Sequence, residues 1–336
     1  MEKKIRFGLV GCGRISKRHI LSIKRNPNAE LIAICDIDNK KLKKTQKEYN
    51  IKKAYIRFED LIDDNSVDVI NICTPSGMHP QMVIKSVKKG KHVVCEKPLA
   101  LNYEAGKKAV DLAKKNKKYL FVCFQNRYNA PVVYLKKILD NGKLGNILTA
   151  TATMRWYREN SYYSDWHGKT DLEGGILFNQ AIHYVDLLLY LMNKKPISVF
   201  CVKKTLGHKI EMDDLAIVNI TFSDNTIGLI EATTLSYPKN MEGSITLQCE
   251  KGTVKIGGEA LNEIDYWEGN AKPKKKIGSK IESIYGQSHS EVINKVVNVL
   301  LKKDKPFCTG EESLLVLKVI DKAYESSTKH KILLLE

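Results

Sequence analysis

The sequence predicts an α/β protein in two parts: a doubly wound parallel sheet over residues 1–124, then an α+β part over residues 125–336 with a large, open, mainly antiparallel sheet. Three observations predict it. Through about the first 125 residues, short apolar runs alternate with helix-period segments, the pattern of strands joined by crossover helices. A glycine-rich turn, Gly11-Cys12-Gly13-Arg14-Ile15-Ser16, directly follows the first apolar run and opens the first helical segment. After Asn129 strand-like runs dominate, separated by turn pairs such as Asp224-Asn225 and Lys251-Gly252, which imply antiparallel pairing.

In order, the strands of the first part are expected at Ile5–Val10, Glu30–Asp36, Val67–Cys73, His92–Glu96 and Tyr119–Phe124. Runs such as His92-Val93-Val94-Cys95 lack polar alternation, as in a parallel sheet covered on both faces. Helices are expected between them at His19–Lys24, Lys40–Tyr49, Phe58–Ile62, Pro80–Lys89 and Tyr103–Asn116. In the second part a helix over Val132–Asp140 stops at Asn141-Gly142. Strands follow at Ile147–Trp156, Ser198–Thr205, Leu215–Phe222, Thr226–Thr233, Ser244–Cys249 and Gly252–Ile256, with a helix inserted over Ile176–Leu191. Gly269–Lys280, rich in lysine and glycine, is expected to be a loop. Helices near Glu291–Lys303 and Glu311–Ser326 close the chain, the last able to pack back on the first part.

The 336 residues suit two domains of roughly 150 residues each. The net charge of +17 comes from lysines spread through helical stretches, without helix-turn-helix or zinc-finger spacing. It therefore implies a solvated surface that attracts anionic substrates rather than a nucleic-acid partner. The eight cysteines stand singly, without the paired spacing of a zinc site, and read as reduced thiols; no metal is expected. Met1-Glu2-Lys3-Lys4 runs straight into a strand, and no stretch approaches ~20 apolar residues, so no membrane partner and a cytoplasmic location are expected.

The glycine turn carries the first chemistry. Gly11 allows a tight turn, Gly13 lets backbone amides approach a pyrophosphate at a helix N-terminus, and Ser16 is a small residue for helix–strand packing. Asp36 ends the second strand about 20 residues further on, where a carboxylate accepts bonds from an adenosine ribose. With Asp38 nearby and no arginine directly beside the pair, a 2′-phosphate is repelled, so NAD is expected rather than NADP. The turn Thr74-Pro75-Ser76 ends the third strand and either lies near the nicotinamide half or serves only as a strand-to-helix turn.

The second chemistry is Cys95-Glu96-Lys97-Pro98-Leu99, which places an ammonium at a strand's carboxyl end, where ligands of open α/β sheets bind. His183 has an intrinsic pKa suited to accepting an alcohol proton. Asn179, His183 and Asp186 recur at spacings of four and three after Gly174-Gly175, on one face of the expected helix. Asp186 caps, pairs locally or orients His183. Arg155 and Arg158 flank Trp156-Tyr157 and offer forked donors to a diphosphate or carboxylate, with Arg127 a third candidate; surface salt bridging is the alternative. Tyr162, Tyr163 and Trp166 either stack on a sugar or uracil or pack a loop.

Taken in order, the glycine turn, Cys73-Thr74-Pro75-Ser76-Gly77-Met78-His79, Gly90-Lys91-His92-Val93-Val94-Cys95-Glu96-Lys97-Pro98-Leu99, and Gly174-Gly175 leading to His183 resemble the Gfo/Idh/MocA oxidoreductase family over nearly the whole chain. The resemblance implies an N-terminal Rossmann domain, a C-terminal domain whose open sheet makes oligomer contacts, and a homodimer or homotetramer. It implies cofactor contacts from Gly11, Gly13, Arg14, Ile15, Asp36, Thr74, Pro75, His79, Glu96, Lys97 and Gln125. A narrower set, including Gln125-Asn126-Arg127-Tyr128-Asn129, Trp166-His167-Gly168 and Asn179-Gln180-Ala181-Ile182-His183, is similar to the WlbA-like branch that oxidises UDP-sugars at C3. That similarity implies UDP-N-acetylglucosaminuronic acid as substrate, with Lys97 and His183 sharing the acid–base work. It also implies substrate contacts from Arg127, Arg155, Arg158, Tyr162, Tyr163, Trp166, Asn179 and Gln180. Many relatives carry aspartate where Asn179 stands, so a Lys/Asp/His triad does not carry over. Another sugar or polyol dehydrogenase of the family is the alternative activity. A non-catalytic dinucleotide-sensing regulator is the other, and the presence of Lys97 and His183 argues against it.

Overall fold

The computed structural model describes residues 4–278 and 288–335; the expected lead-in over residues 1–3 and residues 279 and 280 of the expected loop lie outside the described residues. The chain forms two compact units, Met1–Cys123 with His289–Leu314, and Phe124–Ser288 with Leu315–Glu336. The division is not a single cut near residue 124, because residues 289–314 return to the first unit.

In the first unit, β1 (Ile5–Val10), β2 (Ala29–Cys35), β3 (Lys53–Tyr55), β4 (Val69–Ile72), β5 (His92–Cys95) and β6 (Leu120–Val122) form a parallel sheet in the order β3-β2-β1-β4-β5-β6. The order reverses at β1 and β4, the topological switch point outside which ligands of such sheets bind. Helices α1 (Ser16–Arg25), α2 (Asn39–Tyr49), α3 (Phe58–Asp63), α4 (His79–Lys88) and α5 (Tyr103–Lys115) join the strands. Phe7, Leu9, Ile34, Val69, Ile70, Val93 and Val94 are buried, each side chain contributing about 1.5–3 kcal/mol. Asp38 caps α2 by accepting the Lys40 and Lys41 amides at 2.9 and 3.2 Å.

In the second unit, α6 (Ala130–Asp140) is followed by β7 (Ile147–Arg155), α7 (Ile182–Met192), β8 (Pro196–Lys204), β9 (Leu215–Phe222), β10 (Ile227–Thr233), β11 (Glu242–Cys249), β12 (Gly252–Gly257) and β13 (Glu263–Gly269). α8 (His289–Leu300) packs on α1 of the first unit, α9 (Gly310–Lys329) carries the unit boundary between residues 314 and 315, and β14 (Leu333–Leu334) ends the chain. The sheet runs β13-β12-β11-β7-β10-β9-β8-β14, antiparallel except for the β7–β10 pair. One face packs on α7; the other exposes Leu148, Phe200, Val202, Ile217, Ile227 and Leu229. Among the described residues no helix is long and apolar enough to cross a membrane.

One expected helix is corrected. The run predicted over Ile176–Leu191 becomes helical only at Ile182, and residues 176–181 are wound as turns. Asn179 and Gln180 donate their amides four residues back to Gly175 and Ile176, but Ala181 reaches five residues back to Ile176 at 2.8 Å. That wider bond breaks the helical register, so Asn179 precedes α7 instead of sharing its face with His183 and Asp186.

Candidate active site

The first unit presents a turn built for an anion. Gly11 has φ +93°, and a Cβ there would stand 2.5 Å from the Cys73 carbonyl oxygen, so only glycine allows the two strand ends to approach. Gly13 is the opposite case: a Cβ there meets nothing within 4 Å. Arg14 is exposed and Ile15 half-buried in the same turn. Among the described residues no side chain caps α1 and no acid stands in its first turn, while the Ser16 and Arg18 amides donate to the Gly13 and Ile15 carbonyls at 3.2 and 3.0 Å. Asp36 braces the turn, accepting the Cys12 amide at 2.7 Å through one oxygen and the Asp38 amide at 2.8 Å through the other. With Asp38 committed to capping α2, Asp36 is the carboxylate that stands beside the glycine turn, and the set fits NAD.

Thr74 and Pro75 follow β4 half-buried, and His79 lies beneath them. His79 joins the Thr74 carbonyl oxygen at 2.9 Å to that of Pro98 at 2.7 Å, tying the turn after β4 to the turn after β5. Burial lowers its pKa. Lys97 is half-buried at the carboxyl end of β5. Its amide donates to the Glu96 carboxylate at 3.2 Å, and Glu96 is itself buried against His19 Nε2 at 2.6 Å, with His289 Nε2 at 3.6 Å. Burial would raise the Glu96 pKa, but the contacts with His19 and His289 outweigh it and hold the carboxyl well below its ordinary range. His19, Glu96 and Cys123 bring three ligand-type atoms within 4.8 Å of one another, yet the direct His19–Glu96 hydrogen bond makes this a brace for the Lys97 turn.

The second unit gathers most of the remaining expected residues. His183, on the first turn of α7, is buried; Gln125 Nε2 lies 3.3 Å from its Nε2, and the Phe124 ring stands edge-on to it at 6.4 Å. Asn179 donates its side-chain amide to the Glu173 carboxylate and, at 3.4 Å, to the Tyr162 hydroxyl. The side-chain oxygens of Gln125 and Gln180 are buried and find no hydrogen-bond partner among the described residues, as acceptors awaiting a ligand would be. Arg158 lies over the Trp156 ring at 4.9 Å and the Tyr162 ring at 5.3 Å, and lines a cleft of about 250 Å³ with Tyr157, Asn160, His208, Thr234 and Leu235. Tyr163 bonds Thr234 at 3.1 Å, and Trp166 stacks on His167 at 3.9 Å.

Two arginines are engaged elsewhere. Arg155 forks onto Glu231 at 2.7 and 2.6 Å and reaches Glu242 at 3.1 Å. Arg127 is buried against Asp186, at 3.0 Å from Nε and 2.6 Å from Nη2. The carboxylate that sequence reasoning missed is Glu173, buried next to Gly174-Gly175; it bonds both Asn179 and the Gly168 amide. Its one signal was an acid directly preceding a glycine pair. His19 and His289 were missed because only the fold brings them to Glu96.

Comparison with known proteins bears on these features. Residues 5–124 match the oxidoreductase family with an NAD-binding Rossmann fold, and residues 132–255 match the GFO/IDH/MocA C-terminal domain. The chain belongs to the Gfo/Idh/MocA family. It is an oxidoreductase with an NAD-binding domain, and its two sheets are those the family resemblance implied. It is 36% identical to the WlbA dehydrogenase of Bordetella pertussis, solved with NADH and UDP-GlcNAcA, with a TM-score of 0.93 over 100% of this chain and 99% of that one. It is 30% identical to the myo-inositol 2-dehydrogenase of Thermotoga maritima, over 68% of each chain. It is 24% identical to the inositol 2-dehydrogenase of Rhizobium meliloti, over 96% of each.

Proposed function

We propose that this NAD-dependent sugar dehydrogenase oxidises the C3 hydroxyl of a UDP-sugar, UDP-N-acetylglucosaminuronic acid first among them, to the 3-keto sugar. The observation that carries the reading is the 36% identity, over the full chain, to a WlbA dehydrogenase solved with NADH and UDP-GlcNAcA. The buried, unsatisfied oxygens of Gln125 and Gln180 beside His183 and Asn179 support it, because a hydroxyl-rich ligand supplies the donors they lack. On this reading residues 1–124 hold NAD, residues 125–336 hold substrate, and the enzyme works in the cytoplasm.

When bound, NAD supplies the hydride acceptor. The chain's own residues manage the oxygen and its proton. His183 accepts the C3 hydroxyl proton, Lys97 stabilises the charge that develops on the oxygen, and Asn179 orients the sugar. Arg158 and the aromatic rings beside it receive the nucleotide end. The exposed apolar face carrying Ile217, Ile227 and Leu229 supports self-association as a dimer or tetramer.

The test is NADH formation with UDP-GlcNAcA, UDP-GlcNAc and myo-inositol for the wild type, Lys97→Ala and His183→Ala. Loss of a group acting only on the transition state is expected to lower kcat by roughly 10²–10³-fold. Near-normal turnover by either variant rejects that residue's role. A preference for inositol over both UDP-sugars rejects the substrate class.

A further inference from the structure

We infer that Asp213 and Tyr324 are positioning residues for this reaction, fixing the backbone from Gly175 to Leu177 that presents Asn179, Gln180 and His183. The inference rests on the reading of His183 and Asn179 given above.

Asp213 lies between β8 and β9, and Tyr324 lies on α9. The Tyr324 hydroxyl donates to Asp213 Oδ2 at 2.8 Å and accepts the Leu177 amide at 3.2 Å, while the same Asp213 oxygen accepts the Ile176 amide at 3.2 Å. Two successive amides are thus held by one hydrogen-bonded pair, with the tyrosine hydroxyl both donor and acceptor. Gly175 packs directly on the pair. It has φ +107°, and a Cβ there would stand 2.4 Å from the Tyr324 oxygen and 2.7 Å from Asp213 Oδ1. Asp213 is buried, and its charge is met by Lys203 Nζ at 3.5 Å, which also lies 4.6 Å from the centre of the Tyr324 ring.

The held peptides are also those on which the site residues hang. The Gly175 carbonyl accepts the Asn179 amide at 3.1 Å, and the Ile176 carbonyl accepts the Gln180 and Ala181 amides at 3.2 and 2.8 Å, immediately before α7 begins. A shift of Gly175 or Ile176 is therefore passed to Asn179, Gln180 and the start of the helix bearing His183. The segment has no regular helix to hold it in place, so the clamp supplies what the interrupted helix does not.

Tyr324→Phe keeps the ring against Phe178 and Lys203 while removing the hydroxyl. The expected result is faster hydrogen exchange, roughly tenfold, in a peptide covering residues 175–181. It is accompanied by a fall in kcat of roughly ten- to a hundredfold with the KM for NAD unchanged, since misplacement of about 1 Å can cost 10²-fold. Asp213→Asn retains an acceptor for Ile176 and is expected to keep several times the activity of Asp213→Ala. Unchanged exchange in Tyr324→Phe, or faster exchange with wild-type kcat, overturns the inference. Exchange judges the clamp even if the wild type oxidises no UDP-sugar, so failure of the inference and failure of the proposed reaction are distinguishable.

Discussion

Removal of Asp186 tests whether Arg127 serves the fold or the substrate. The two side chains are 5% and 1% exposed and meet through two close contacts, and the guanidinium also lies over the rings of Tyr190 at 4.7 Å and Phe124 at 5.5 Å. Arg127 belongs to the 3₁₀ turn Gln125–Tyr128 and Asp186 to α7, so the pair ties the segment bearing Gln125 to the helix bearing His183. Asp186→Ala leaves a buried guanidinium without its counter-charge, a loss of about 3–5 kcal/mol. At roughly 2–4 °C per kcal/mol for a unit of about 200 residues, the melting temperature of that unit falls by roughly 6–20 °C. Thermal unfolding followed by circular dichroism reads it directly. The double variant Arg127→Met with Asp186→Leu removes both charges and keeps apolar bulk, so its stability is expected to return to within about 2 kcal/mol of the wild type. Its KM for the sugar then decides the role: an unchanged KM assigns Arg127 to the brace, and a tenfold rise with restored stability assigns it to substrate. A single variant that melts like the wild type refutes the reasoning altogether.

Gly13→Ala is expected to leave the melting temperature unchanged, since its Cβ meets nothing, and to raise the Kd for NADH by roughly tenfold; Gly11→Ala, whose Cβ meets the Cys73 carbonyl, is expected to destabilise the fold. The first unit is expected to lose stability on acidification. Burial holds His289 below its ordinary pKa despite Glu96, with His19 and Arg18 opposing its charge, so the unfolded chain takes up a proton as pH falls below about 6.5; Glu96, also held low, adds a second loss below about pH 4.3. Urea midpoints at pH 7.5, 6.0 and 5.0 check the sign, and His289→Leu should flatten the upper limb. Leu229→Arg, on the open sheet face, is expected to lower the molar mass measured by light scattering; an unchanged mass places self-association elsewhere.

The sheet strands were legible wherever burial is continuous or strictly alternating, as in His92–Cys95 and Leu215–Phe222. β3, of only three residues at a sheet edge, carries no such pattern and was not expected. The helix start at Ile182 was misread because Ile176-Leu177-Phe178 has the apolar content of a helix, while the bond that interrupts it lies in the backbone. The places of Lys97 after β5 and of Asp36 beside the glycine turn were legible, because strand ends and turn spacing set them locally. The partners of Glu96 were not: His19 lies 77 residues from it, and His289 comes from α8, which only the tertiary fold returns to the first unit.

The Asn179 side chain is held by a buried carboxylate. An aspartate at that position would put a negative charge at the residue that, on the proposed reading, orients the sugar. Here the carboxylate stands six residues earlier, at Glu173, and is buried. Its two oxygens are taken by the Asn179 side-chain amide and the Gly168 backbone amide, so it fixes the amide's orientation and leaves it little scope to collect a substrate proton. A neutral amide held in this way can orient a hydroxyl but cannot serve as a base at neutral pH. On the proposed reading, proton removal then falls to His183, with Lys97 stabilising the oxygen and Asn179 orienting the sugar.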